Sequence, residues 1–153
     1  MCLPFFLWRC TIVPFMNHQE IIERMRGYIR SLWRLEQVSH IWAANILDTK
    51  QYGTTDDAAY IDDLQAAIDA AQDKMMEYDA ARDLMDSRLR DAVHLIDFLG
   101  YSLDEAAAEL HASREAVSRR EKRGLLDIAL VYLQAAGVSR DWMQAPRKAR
   151  LKY

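Results

Sequence analysis

No proline stands between Pro14 and Pro146, and only five glycines are spread through the 153 residues. Proline costs a helix interior about 3 kcal/mol and glycine about 1 kcal/mol, so nothing in the middle of the chain forbids long helices. From Asn17 to Gln134 the dominant residues are Ala, Leu, Asp, Glu, Arg and Gln. That composition favours helix over strand, and the chain is expected to be all-α.

Helical periodicity divides this interior. Ile21, Ile22, Met25, Tyr28, Ile29, Leu32, Leu35, Val38, Ile41, Trp42 and Ile46 recur at steps of three and four, predicting one long amphipathic helix from Asn17 to about Asp48. Asn17 with Glu20 three residues on makes a capped start. Gln51 to Asp57 reads as a loop, with Thr55 or Asp56 able to cap the next helix. A second stretch of 42 residues without Gly or Pro runs from Asp57 to Phe98, with Ile61, Leu64, Ile68, Ala71, Met75, Tyr78, Ala81, Leu84 and Met85 as its seam. A bend or break is expected near Asp86 to Arg88. A short loop between two such stretches predicts an antiparallel hairpin, whose stripes pair within one chain or between two. Tyr28, Trp33, Trp42 and Tyr60, at helical spacing, are expected in the core.

The stretch from Ser102 to Arg123 has a different layout: a short amphipathic helix, a tight break, then a helix rich in basic charge. Ser102 and Glu105 form a capping box. Leu103, Ala106, Ala107 and Leu110 share one face, with small Ala107 allowing a close crossing. His111 occupies the turn position that needs φ > 0, which His tolerates better than most residues. Ser113 caps the second helix, and Ala116 and Val117 supply its buried contacts. Gly100 ends the helix before the motif. Gly124 permits a kink or lets the helix run straight through, and Leu125 to Ala136 continues as helix to Gly137. Two helices so arranged are the layout of a helix-turn-helix, whose second helix enters the DNA major groove.

On these residues the segment from Arg88 to Leu133 resembles the sigma-70 region 4 fold, with Leu89, Ala92, Val93, Ile96 and Leu99 before the motif and Leu125, Leu126, Ile128 and Ala129 after it. The chain after Met16 is similar to phage-encoded transcriptional regulators of the ArpU/RinA type, and the step Val117-Ser118-Arg119-Arg120 is the most family-like piece. The resemblance implies a phage or prophage regulator that reads promoter DNA with helix 113–123. It also implies contact with RNA polymerase, or recruitment of phage enzymes to a packaging or integration site. A true minimal sigma factor would need a recognisable region 2, which is absent from the sequence.

Arg114, Ser118 and Arg119 lie on the early exposed face of the second helix and are the candidate base-edge readers, with Glu115 beside them. Ser113, Arg120, Lys122 and Arg123 are candidate phosphate contacts, which set affinity rather than sequence choice. For Arg120 and Arg123 the competing expectation is an internal ion pair with Glu109, Glu121 or Asp127.

Charge is distributed unevenly. Residues 48–105 carry 15 acidic and 5 basic side chains, whereas residues 106–153 carry 5 acidic and 10 basic ones. A basic module beside an acidic one suits a protein that touches phosphates with one end only. The expected organisation is a leader over 1–16, a helical hairpin over 17–87 that can dimerise, a DNA-binding helix-turn-helix domain over 88–136, and a basic tail over 137–153 that tracks the DNA backbone or is simply solvated.

The leader, Met1 to Phe15, is apolar and aromatic but too short for a bilayer span of about 20 residues, and it lacks the layout of a signal peptide. Translation starting at Met16 is the preferred explanation; a segment binding a membrane or a partner is the alternative. Cys2 and Cys10 both lie in it and match no zinc or redox spacing. A chain starting at Met16 has no cysteine and suits a reducing cytoplasm. His18, His40, His94 and His111 share no metal-ligand spacing, and no cofactor loop or catalytic set is present. The expected partner is double-stranded DNA, with a homodimer at the hairpin, no cofactor, no membrane and no enzymatic role. A helical protein-protein interaction module without specific DNA binding is the competing reading.

Overall fold

The computed structural model describes residues 16–132. The leader and the basic tail lie outside the described residues, as does the helix end expected at Gly137. Asn17 opens the first helix as expected, its side chain accepting the Glu20 backbone N–H at 2.8 Å. This helix, α1, spans His18–Tyr52, 35 residues, or about 50 Å at 1.5 Å per residue. It runs past the end read from the sequence. The next cap is also displaced: the Thr54 backbone N–H donates to the Asp57 carboxylate at 2.8 Å, and a single tight turn over Thr55–Asp57 leads into α2, Ala58–Asp83.

The break after α2 falls where it was expected. Asp86 accepts the Arg88 N–H at 3.0 Å and starts α3, Ser87–Val93, which continues through a wider turn over His94–Phe98. Leu99 donates to the His94 carbonyl at 2.9 Å in that turn, and Gly100 closes it at φ 80°, the left-handed region a glycine enters without steric cost. Then come α4, Leu103–Glu109, and α5, Arg114–Asp127, which runs straight through Gly124 and widens over Ile128–Tyr132. All regular structure among the described residues is helical.

The two long helices pack antiparallel, but they do not make a core by themselves. Ile21, Ile22, Met25, Tyr28, Ile29 and Leu32 of α1 and Tyr78 and Ala81 of α2 share one buried cluster with Val93, Phe98, Leu125, Ile128 and Ala129. Tyr78 stacks on Phe98 with ring centroids 5.7 Å apart. A second, smaller cluster, Ala92, Ile96, Ala106 and Val117, sits within the C-terminal unit. The far end of the hairpin buries only Ile46, Ile68 and Ala71, while Ile41, Leu47, Tyr52 and Tyr60 are exposed. Tyr60, expected in the core with Tyr28, therefore lies on the surface, because the hairpin there has two helices and no third layer. Among the described residues no helix is long and apolar enough to cross a membrane.

Candidate nucleic-acid interface

Two serines and one histidine set the backbone of the interface. Ser102 accepts the Glu105 N–H at 3.1 Å and its own N–H reaches the Glu105 carboxylate at 3.4 Å, the reciprocal box that starts α4. His111 takes φ 50°, the one residue other than glycine at positive φ among the described residues. Ala112 then donates to the Ala107 carbonyl at 3.1 Å, and Ser113 accepts the Ala116 N–H at 3.2 Å to start α5. Val117 is fully buried against Ala92, Ile96 and Ala106, with Leu103, Ala107, Leu110 and Ala112 around them. Ala106 is fully buried in this cluster, and Ala107, expected at the crossing, is half-buried and packs against it.

α5 buries Val117, Glu121, Gly124 and Leu125. Spacing of three and four residues then places Glu115, Arg119, Lys122 and Arg123 on the opposite face, and all four are exposed. Arg114 and Ser113 are exposed at the helix start, while Ser118 and Arg120 are half-buried on its two flanks. Among the described residues Arg119, Arg120 and Lys122 pair with no carboxylate. Arg114 meets Asp104 at 3.5 Å and Arg123 meets Asp127 at 3.2 Å. The internal pair anticipated for Arg123 therefore forms and that for Arg120 does not. Both arginines remain more than half exposed, and surface pairs of this kind contribute about 0–1 kcal/mol. Neither pair withholds its arginine from a duplex.

Glu121 is the exception in this basic helix: it is 3% exposed. Arg26, from α1, grips it with two nitrogens, at 2.8 Å and 3.1 Å from Nη2 and 3.0 Å from Nε. Asp97, 1% exposed, lies 3.4 Å from the same guanidinium. Burial first, and the adjacent Glu121 carboxylate second, hold the Asp97 carboxyl well above the ordinary aspartate range. These two buried carboxyl groups, with one arginine bridging both, tie α1, the turn after α3 and α5 together. On the far side of that turn, His94 stacks on Phe98 at 5.0 Å between ring centroids, and its Nδ1 lies 3.0 Å from an Arg82 nitrogen. Burial, then the Arg82 charge, push its pKa down, so the neutral ring accepts the Arg82 N–H.

The sequence of this segment has a known counterpart. Residues 83–128 match the family model for sigma-70, region 4. The span begins at the last residue of α2 and takes in α3, α4 and all of α5, so this part of the chain carries a helix-turn-helix of the sigma-70 region 4 kind. Neither a curated protein nor a solved structure matches the chain. α1 lies outside the region 4-like unit, yet it supplies Arg26 to the buried carboxyl pair and, four residues on, Arg30 to the surface beside α5. Sequence reasoning missed these arginines and also Asp97. Glu121 carried a usable signal, since it stands four residues from both Val117 and Leu125 on the buried face.

Proposed function

We propose that this protein is a sequence-specific DNA-binding transcriptional regulator that reads promoter DNA with helix 113–123. The observation that carries the reading is the face of α5: a region 4-like recognition helix that presents Glu115, Arg119, Lys122 and Arg123 to solvent, with Arg119 and Lys122 unpaired among the described residues. Arg114, Ser118 and Arg119 meet base edges, where an arginine bidentate to guanine discriminates by about 1–3 kcal/mol. Ser113, Arg120, Lys122 and Arg123 hold phosphates. The resemblance to phage regulators of the ArpU/RinA type supports a phage or prophage source. The exposed apolar residues at the far end of the hairpin support a protein contact there, RNA polymerase or a second copy of this chain, away from the basic face.

Fluorescence anisotropy on genomic fragments at several salt concentrations tests the reading. The expected result is selection of one fragment over the rest, with affinity falling steeply as salt rises. Arg119→Ala is expected to lose about 1–3 kcal/mol of that selection. Absence of binding at low salt overturns the proposal and leaves the helical interaction module.

A further inference from the structure

Glu121 is a point at which α5 is held from outside the region 4-like unit. It stands two residues after Arg119 and three after Ser118, and it is buried. Arg26 of α1 donates from Nη2 to both of its carboxylate oxygens and from Nε to one of them. The other buried contacts of this stretch are less directional. Val117, one turn before Glu121, packs on Ala92, Ile96 and Ala106, two of them alanines. Leu125, one turn after it, joins the larger apolar cluster. Apolar burial of this kind is non-directional.

A buried ion pair is a poor source of stability. Apolar residues of similar volume in its place are often neutral or stabilising, because desolvation offsets the attraction. What the pair adds is direction: a guanidinium fork on a carboxylate sets one geometry, and fixing register is the best-attested use of such a group. The size of a helix shows why direction matters here. Side chains reach about 5–6 Å from the axis, so turning α5 by about 20° moves a reader by about 2 Å. The donor–acceptor window of a hydrogen bond is only about 0.5 Å wide. Such a turn removes base-edge contacts while long cationic side chains still reach phosphates.

We propose that Arg26 is a positioning residue for DNA reading: its grip on Glu121 fixes the rotation of α5 about its axis, and so sets which base edges Ser118 and Arg119 meet. The inference rests on the DNA-binding reading above. It places a determinant of sequence choice on α1, in a residue that need not touch DNA.

The test uses the full chain, with anisotropy titrations between about 50 and 200 mM salt on two probes: the genomic fragment the natural chain selects and a mixed-sequence duplex of about 30 base pairs. The readout is the ratio of the two affinities, because partial unfolding weakens binding to both duplexes by the same factor. Arg26→Met combined with Glu121→Met removes the pair and strands neither charge, Asp97 being held toward its neutral form by burial. The ratio is expected to fall about tenfold, with the mixed-sequence affinity and its salt slope unchanged, because no phosphate contact is lost. Arg26→Lys keeps the charge without the fork; it is expected to lower the ratio severalfold, and it carries the test if the double variant does not fold. Ile29→Val, in the core of α1, is expected to lower stability and leave the ratio unchanged. An undiminished ratio in Arg26→Lys and in the folded double variant overturns the positioning role while the DNA reading stands. A loss shared by both duplexes, with a slope shallower by about 0.9, overturns it in favour of a direct phosphate contact by Arg26. Failure of the natural chain to prefer any fragment overturns both.

Discussion

A carboxyl group as buried as that of Asp97 is held in place by its neighbours rather than by water, and its protonation should be visible in stability. Its pKa in the folded chain lies well above the ordinary value of 3.8, through burial and then the charge of Glu121. A group raised on folding contributes stability that is fully present below the unfolded value and is lost as pH rises through the folded one. Asp97→Asn carries no ionisable proton at this position. The variant is expected to gain on the natural chain as pH rises above about 4, by at most about 1.4 kcal/mol per pH unit, and to level off once the natural carboxyl has ionised. Urea titrations of both proteins from about pH 4.5 to about pH 8 measure this. A pH-independent difference would mean that Asp97 ionises in the folded chain as it does in the unfolded one.

At the scale of elements, the decisive contact is the crossing of α3 and α5 at Gly124. A β-carbon there would lie 2.6 Å from Val93 Cγ2 and 3.1 Å from the Leu89 carbonyl oxygen. In an exposed helix, glycine to alanine stabilises by about 1 kcal/mol. Here the new carbon meets a β-branched side chain that is 1% exposed, and overpacking of this kind costs about 1–3 kcal/mol. The clash exceeds the propensity gain, so Gly124→Ala is expected to destabilise by about 1–2 kcal/mol in chemical denaturation. In a Val93→Ala background most of that cost should vanish, because the obstructing methyl is gone; equal costs in both backgrounds would place the clash on the Leu89 backbone instead. This crossing also marks what the sequence could and could not convey. The caps at Asn17, Ser102 and Ser113, the positive φ of His111 and the stop at Gly100 were all legible, since each is decided within a few residues of itself. Gly124 could be read as a kink or a straight passage because the reason for it, Val93, is 31 positions away in the chain. The Arg26–Glu121 pair spans 95 positions, and nothing in the local spacing of either residue names the other.

At the scale of the whole molecule, the helix-turn-helix depends on helices that lie outside it. Its smaller cluster contributes Ala92, Ile96, Ala106 and Val117, of which two are alanines. Its larger side chains, Val93, Phe98, Leu125 and Ile128, are buried instead against Ile21, Met25, Ile29 and Leu32 of α1 and Tyr78 of α2. Burying each of these four is worth about 1.5–3 kcal/mol, or roughly 6–12 kcal/mol together, which is comparable to the entire stability of a typical domain at about 5–15 kcal/mol. Removing α1 and most of α2 would also leave Glu121 and Asp97 without Arg26, and a buried carboxyl pair stripped of its cation adds to the loss. A fragment of residues 83–132 is therefore expected to show weak helical circular dichroism and no cooperative melt, whereas residues 16–132 melt in one transition. A cooperative melt of the short fragment at a temperature near that of the longer one would show that the region 4-like unit stands alone and that the hairpin is an appendage. If the fragment is unfolded, the DNA recognition proposed for α5 cannot be separated from α1, and substitutions such as Ile29→Ala, in the core of α1, should weaken DNA binding in proportion to the fraction of chain they unfold.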